Sequence, residues 1–146
     1  MRNNFLNKSV ANVYFKPSPN SEVVSQILYG EKFKILLKRK KYIKIKTHYD
    51  NYIGYIKKDK FLENFKPSHK ISKIKSRIFF KRGKKFLPSN HYLYYGSGVC
   101  VRNENKKYIE FEKNRWIKKN DIKDIDHYEK NYIKIFKFFL NTKYLW

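Results

Sequence analysis

Phe33-Lys34-Ile35-Leu36-Leu37-Lys38, then Arg39-Lys40-Lys41, then Tyr42-Ile43-Lys44-Ile45-Lys46 is the stretch whose reading decides how this chain folds. Phe33, Ile35 and Leu37 alternate with Lys32, Lys34, Leu36 and Lys38, and Ile43 and Ile45 alternate with Lys44 and Lys46. A period of two puts one set of side chains on each face of an extended strand, so both runs read as half-buried strands. The basic triplet between them is the tip of a hairpin. Working outward, Pro17-Ser18-Pro19-Asn20-Ser21 reads as an irregular loop and His48-Tyr49-Asp50-Asn51 as a turn. Tyr52-Ile53-Gly54-Tyr55-Ile56 is a further strand, whose central glycine marks a bulge or a close backbone approach. From Val10 onward, short strands punctuated by turn residues predict a small barrel or sandwich.

Phe65-Lys66-Pro67-Ser68 interrupts this pattern, because Pro67 biases Lys66 away from helix and the apolar alternation pauses there. A second set of strands follows: Ile71 to Phe80, Ser97-Gly98-Val99-Cys100-Val101-Arg102, Tyr108-Ile109-Glu110-Phe111 and Trp116-Ile117. Past Ile125 the period changes to that of a helix. Asp126 can cap it with Glu129 three residues on, Tyr128, Tyr132, Ile135, Phe136, Phe139 and Leu140 share one stripe, and Asn141 is a left-handed stop. The expected fold is mainly β, with two small barrels in tandem over residues 1–65 and 66–124. One amphipathic helix, 126–140, follows within 125–146, its Tyr132/Phe136/Phe139 face packed on the second barrel.

Each barrel is small, and cores shrink quickly at this size. The 13 Tyr and 12 Phe supply much of the burial, since each buried ring removes roughly 150–250 Å² from water. A net charge of +23 points to a polyanionic partner. The excess is mostly lysine, however, in a chain rich in Ile and Asn with a single Ala, which AT-biased codon usage produces without selection for a partner. The basic runs Lys38-Arg39-Lys40-Lys41, Lys57-Lys58, Lys81-Arg82 with Lys84-Lys85, and Lys106-Lys107 fall between apolar strands, where tips are solvated. Specific nucleic-acid binding is therefore not expected.

One cysteine rules out an intrachain disulfide and a multi-thiolate zinc site, and no metal or cofactor is expected. The N-terminal residues lack the apolar core of a secretory signal, and no stretch approaches the roughly 20 apolar residues of a membrane span. The expectation is cytoplasmic residence without a membrane partner. Cys100 stands in an alternating strand without a neighbouring histidine, whereas a nucleophilic thiol needs a base or a positive end nearby. His48, His69, His91 and His127 are scattered, without the spacing of a zincin helix. Gly96-Ser97-Gly98 lacks the remaining residues of a phosphate loop or nucleophile elbow and reads as a turn. No catalytic residue is expected in this chain.

Ser21-Glu22-Val23-Val24-Ser25-Gln26-Ile27-Leu28-Tyr29-Gly30-Glu31, with the later Asp50-Asn51-Tyr52-Ile53-Gly54-Tyr55-Ile56, resembles the first bacterial SH3-like domain of NlpC-type cell-wall cysteine peptidases. The likeness covers most of residues 8–63 and is nearest the γ-D-glutamyl dipeptidyl-peptidase group, whose preceding loop carries a Pro-Ser pair like Pro17-Ser18. Tyr55 stands where that group has tryptophan. Ser68 to Lys118 resembles the second SH3-like domain of the group, and Phe139-Leu140-Asn141-Thr142-Lys143-Tyr144-Leu145-Trp146 resembles the opening of its peptidase domain. There a similar phrase precedes two glycines and the segment bearing the nucleophilic cysteine.

The resemblance implies SH3-like barrels that position substrate for a peptidase acting on peptidoglycan-derived γ-D-glutamyl peptides. It also implies that the catalytic domain, a C-terminal partner of these barrels, is missing from this chain; whether Trp146 is a natural end, a fragment end or a frameshift product stays open. In the resembled enzymes a Glu and a Tyr of the first barrel hold the free amino end of the stem peptide. Tyr52 matches that tyrosine, and Glu22 is taken as the acid with Glu31 as the alternative. A carboxylate beside a phenol binds an ammonium through charge-assisted hydrogen bonds. Nucleic-acid binding by the paired barrels and a stand-alone peptidoglycan-binding module are the alternatives.

Overall fold

A computed structural model describes residues 3–143. The first unit contains β1 (Asn4–Phe5), β2 (Val10–Tyr14), β3 (Val23–Leu28), β4 (Lys32–Lys38), β5 (Tyr42–Thr47), β6 (Ile53–Lys57) and β7 (Leu62–Glu63). They form a seven-stranded antiparallel sheet in the order β3-β2-β6-β5-β4-β1-β7. The alternating residues of the deciding stretch meet in one core: Phe33, Ile43 and Ile45 pack with Leu6, Val13, Ile27 and Ile56. Leu37 leaves the pattern. A register shift between Ile35 and Leu37 inserts an extra residue, so Leu36 and Leu37 are both exposed and the strand's inward face ends at Ile35. Gly54 lies in an unbroken register with Ile45. Its role is close approach, since a Cβ there would sit 2.5 Å from Val13 Cγ1 and 2.9 Å from the Tyr14 carbonyl oxygen.

The second unit contains β8 (His69–Ile71), β9 (Lys75–Arg82), β10 (Lys85–Tyr94), β11 (Gly98–Val99), β12 (Asn103–Glu104), β13 (Tyr108–Glu112), β14 (Arg115–Lys118) and β15 (Ile122–Asp124). A five-stranded sheet, β10-β9-β14-β13-β12, faces a three-stranded one, β11-β8-β15, across a shared apolar core. The expected single strand from Ile71 to Phe80 is two strands, because Ser72-Lys73-Ile74 turns the chain: Ser72 N–H donates to Asp121 O and Tyr95 N–H to Ile74 O. The run from Ser97 to Arg102 is likewise shorter than its sequence suggests, pairing with β8 only at Gly98 and Val99. The molecule is thus mainly β, built from two SH3-like units followed by one helix.

The helix departs from expectation in its start and in its inward face. It spans Tyr132–Phe139, and its N-cap is Asn131, whose side-chain oxygen accepts from Lys134 N–H. Asp126 is not the cap, because Ile125 N–H is spent on Ser68 O and a turn closed by His127 N–H on Asp124 O follows β15 directly. Glu129 instead accepts from the Asn131 N–H. Phe139 meets Tyr95 of the second unit edge-on at 5.5 Å, and Ile135 and Phe138 are half-buried. Phe136 is 74% exposed, so the inward stripe is Ile135/Phe138/Phe139. Asn141 does take the left-handed conformation, with φ 67°. Tyr144, Leu145 and Trp146, the heart of the peptidase-like phrase, lie outside the described residues.

Candidate functional site

The turn between β3 and β4 builds both the joint between the units and one wall of a cleft. Gly30, at φ 74°, lets the chain reverse over Leu28 to Glu31, and Glu31 N–H closes the turn on Leu28 O at 3.0 Å. Tyr29, at the apex, points out of its own unit and into the core of the second, packing with Ile71, Ile78, Val99 and Phe111. Its phenol donates to Glu112 Oε1 at 2.7 Å. Glu112 in turn pairs with Arg115 at 2.6 Å, and Arg115 lies over the Phe111 ring. Burial, reinforced by Glu112, holds the Tyr29 phenol far above its ordinary range, so it stays a donor.

Gly96-Ser97-Gly98 forms the opposite half of the joint. Gly98 N–H donates to Tyr29 O at 3.0 Å. A Cβ on Gly30 would fall 2.1 Å from the Gly98 carbonyl oxygen, and one on Gly98 would fall 2.9 Å from Pro67 Cβ. The glycines therefore serve backbone contact between units. Nothing in the sequence of either segment alone announces that contact.

Beside the joint opens a cleft of about 730 Å³, lined by Glu31 and Tyr49 of the first unit, by Lys70, Lys123 and Tyr95 of the second, and by Tyr132 of the C-terminal segment. Glu31 is half-buried, and its carboxylate accepts from Leu28 N–H. Burial pushes this carboxyl above the ordinary range and Asp50 adds to the rise, while the Leu28 N–H opposes it. Asp50 belongs to the β5–β6 turn, which the His48 N–H anchors to Lys32 O. Tyr52 closes the same turn: its N–H donates to Thr47 Oγ1 at 2.7 Å and to Asp50 Oδ1 at 3.3 Å, and Thr47 Oγ1 donates to Asp50. Glu22 lies elsewhere. It is exposed just before β3, its carbonyl accepts from Phe15 N–H, and it does not line the cleft.

No nucleophile with a poised base emerges among the described residues. The Cys100 thiol donates to Lys66 O at 2.9 Å, and burial raises its pKa. Ser68, His69 and Asp124 form a hydrogen-bonded series, with Ser68 Oγ 2.9 Å from His69 Nδ1 and His69 Nε2 3.2 Å from Asp124. Adjacency of Ser68 to His69 and a largely solvated Asp124 give it no buried orienting carboxylate of the kind a serine triad uses. Only the pairing of β8 with β15 brings Asp124 to His69, and the sequence offered no signal for it.

Residues 13–61, within the first unit, match the bacterial dipeptidyl-peptidase SH3 domain. Over most of its length the chain shares its fold with the crystal structure of an NlpC/P60 family protein from Bacillus cereus ATCC 10987. The TM-score is 0.71 at 14% identity, covering 93% of this chain and 63% of that one. This chain thus spans less than two thirds of the solved protein. A comparison with curated proteins finds no match.

Proposed function

We propose that these barrels bind and position short cell-wall-derived γ-D-glutamyl peptides with a free amino end for an NlpC-type cysteine peptidase domain. The observation that carries the reading is the half-buried Glu31 carboxylate at the inter-barrel cleft, next to the turn that holds Tyr52. A carboxylate kept partly out of water is costly when alone, and an ammonium removes that cost by supplying charge and donors together. Glu31 fits the acid's role better than Glu22, which is solvated and away from the cleft. Tyr52 is assigned as the phenol of the pair, on the turn whose Asp50 acts on Glu31. The thiolate and histidine of the reaction belong to the peptidase domain, and the barrels restrict the substrate to short peptides.

The test is a titration of the 146-residue chain with L-Ala-D-Glu, followed by amide NMR shifts. Binding centred on residues 28–31 and 48–52 is expected, weakened roughly ten- to a hundredfold by N-acetylation or by Glu31→Gln, as befits a lost charge-assisted hydrogen bond. Glu22→Gln is expected to leave it unchanged. Equal affinity for the free and N-acetylated peptide would overturn the reading.

A further inference from the structure

Lys70 and Lys123 are direct cross-strand partners in the β8–β15 ladder, and both side chains line the cleft that holds Glu31. Like charges placed opposite each other on adjacent strands repel, and an acidic neighbour ordinarily offsets this. Here the nearby acids are engaged elsewhere. Asp121 accepts from Ser76 Oγ at 2.7 Å, Asp124 faces His69, and Glu129, which also lines the cleft, takes the Asn131 N–H and Lys134. On the other side of Lys70 the ladder partner is Gly98, which contributes no side chain to cover the ammonium groups. Lys73 adds a third lysine to the lining of the same cleft.

The geometry points to a carboxylate subsite: we infer that Lys70 and Lys123, with Lys73, bind the anionic end of the peptide whose ammonium sits at Glu31. The inference rests on the reading of Glu31 given above and extends it from an amine site to a two-ended one. Glu31 of the first unit then selects a positive group and the lysines of the second a negative one, so the cleft takes a short zwitterionic peptide in a single direction. Neutral or amidated peptides satisfy one end only. Two ammonium groups around one carboxylate relieve their mutual repulsion on binding, which favours a ligand with at least one free carboxylate.

The experiment compares L-Ala-D-Glu, its bis-amide and its N-acetyl form by isothermal titration of the full chain at fixed moderate salt. Against the native sequence the bis-amide is expected to bind on the order of tenfold more weakly, as two partly solvated charge pairs are lost. In Lys70→Ala/Lys123→Ala the free dipeptide falls to the affinity of the bis-amide, while the bis-amide is unaffected, a coupling that general loss of positive charge does not produce. Lys46→Ala, which breaks the comparable Lys34–Lys46 cross-strand pair away from the cleft, should change nothing. Circular dichroism melts confirm that each variant folds. If amidation costs nothing while acetylation still does, the lysine subsite is wrong and the Glu31 reading survives. If acetylation costs nothing while amidation does, the Glu31 reading fails and the anion site stands alone. Absence of binding by every ligand overturns both.

Discussion

Tyr29, from a turn of the first barrel, donates a 2.7 Å hydrogen bond to Glu112 of the second, so the two units share a core residue and a partly buried polar contact. Phe65, which leaves the first barrel at the linker, packs its ring against both Phe5 and Tyr29 and closes the joint from behind. The two barrels are therefore joined through a shared core, beside which the cleft opens.

Removing only the hydroxyl, Tyr29→Phe, leaves Glu112 with Arg115 as its charged partner and keeps the ring packing. The expected loss is about 1.5–3 kcal/mol, that of a hydrogen bond to a charged acceptor. Tyr29→Ala removes the ring as well and should cost about 3–5 kcal/mol. Urea denaturation followed by tryptophan fluorescence in a Trp146→Phe background, which reports the second barrel through Trp116, together with far-ultraviolet circular dichroism, measures both. Coincident transitions are expected in the native chain and separated ones in Tyr29→Ala. A Tyr29→Ala variant as stable as the native chain would show that the joint contributes nothing.

Gly30→Ala adds a methyl 2.1 Å from a backbone oxygen of the other unit and at a φ of 74°. Both effects act together, because a side chain is disfavoured in the left-handed region and the contacted atom belongs to backbone. Loss exceeding about 2 kcal/mol is expected. Gly83→Ala is the control. Gly83 also has positive φ, at 58°, but a Cβ there meets nothing within 4 Å, so about 1 kcal/mol of conformational strain alone is expected. Equal losses in the two variants, measured by thermal unfolding, would mean that the inter-barrel contact carries no weight.

Strand periodicity at Phe33, Ile43 and Ile45 made the first core legible, because a two-residue repeat fixes which side chains face inward. Leu37 escaped the same logic, since one extra residue at a bulge reverses the parity and leaves no compositional trace. The helix was legible as a change of period and in its stop at Asn141, yet its first turn was misplaced. Asp126 has the chemistry of a cap, and only the tertiary bond from Ile125 to Ser68 removes that segment from the helix. The cleft was the least legible feature. Glu31, Lys70 and Lys123 are distant in sequence, and their approach depends on Tyr29 and Gly98, which read locally as a barrel aromatic and a turn glycine.

Cys100 should be inert. Its thiol is turned to Lys66 O and burial disfavours the thiolate, so alkylation by iodoacetamide at pH 7.5 should run more slowly than for a free thiol and accelerate with alkaline pH. Cys100→Ser should leave the fold and peptide binding unchanged, since a hydroxyl can donate to the same carbonyl. The purified chain is expected to hydrolyse no γ-D-glutamyl peptide. Hydrolysis that disappears in Cys100→Ser would place the nucleophile within this chain and overturn the division of labour proposed above.

The pH dependence of stability offers a test of Glu31 that needs no ligand. Burial raises its carboxyl pKa in the folded chain, so the folded state holds its proton to higher pH than the unfolded state does. Below about pH 4 the carboxyl is protonated in both states and imposes no cost. As pH rises through the folded-state value the carboxylate ionises inside a partly desolvated turn, and that part of the stability is lost. Glu31→Gln keeps an oxygen to accept the Leu28 N–H but never ionises. The variant should therefore match the native chain in acid and become more stable than it toward neutrality, as read by urea midpoints at a series of pH values. Addition of L-Ala-D-Glu at neutral pH should reverse the order, stabilising the native chain at ligand concentrations to which Glu31→Gln, with its weaker affinity, responds far less, because only the carboxylate pairs with the ligand's ammonium. A Glu31→Gln chain that is less stable than the native one at neutral pH without ligand would show that the carboxylate is structural and not held in reserve for a cation.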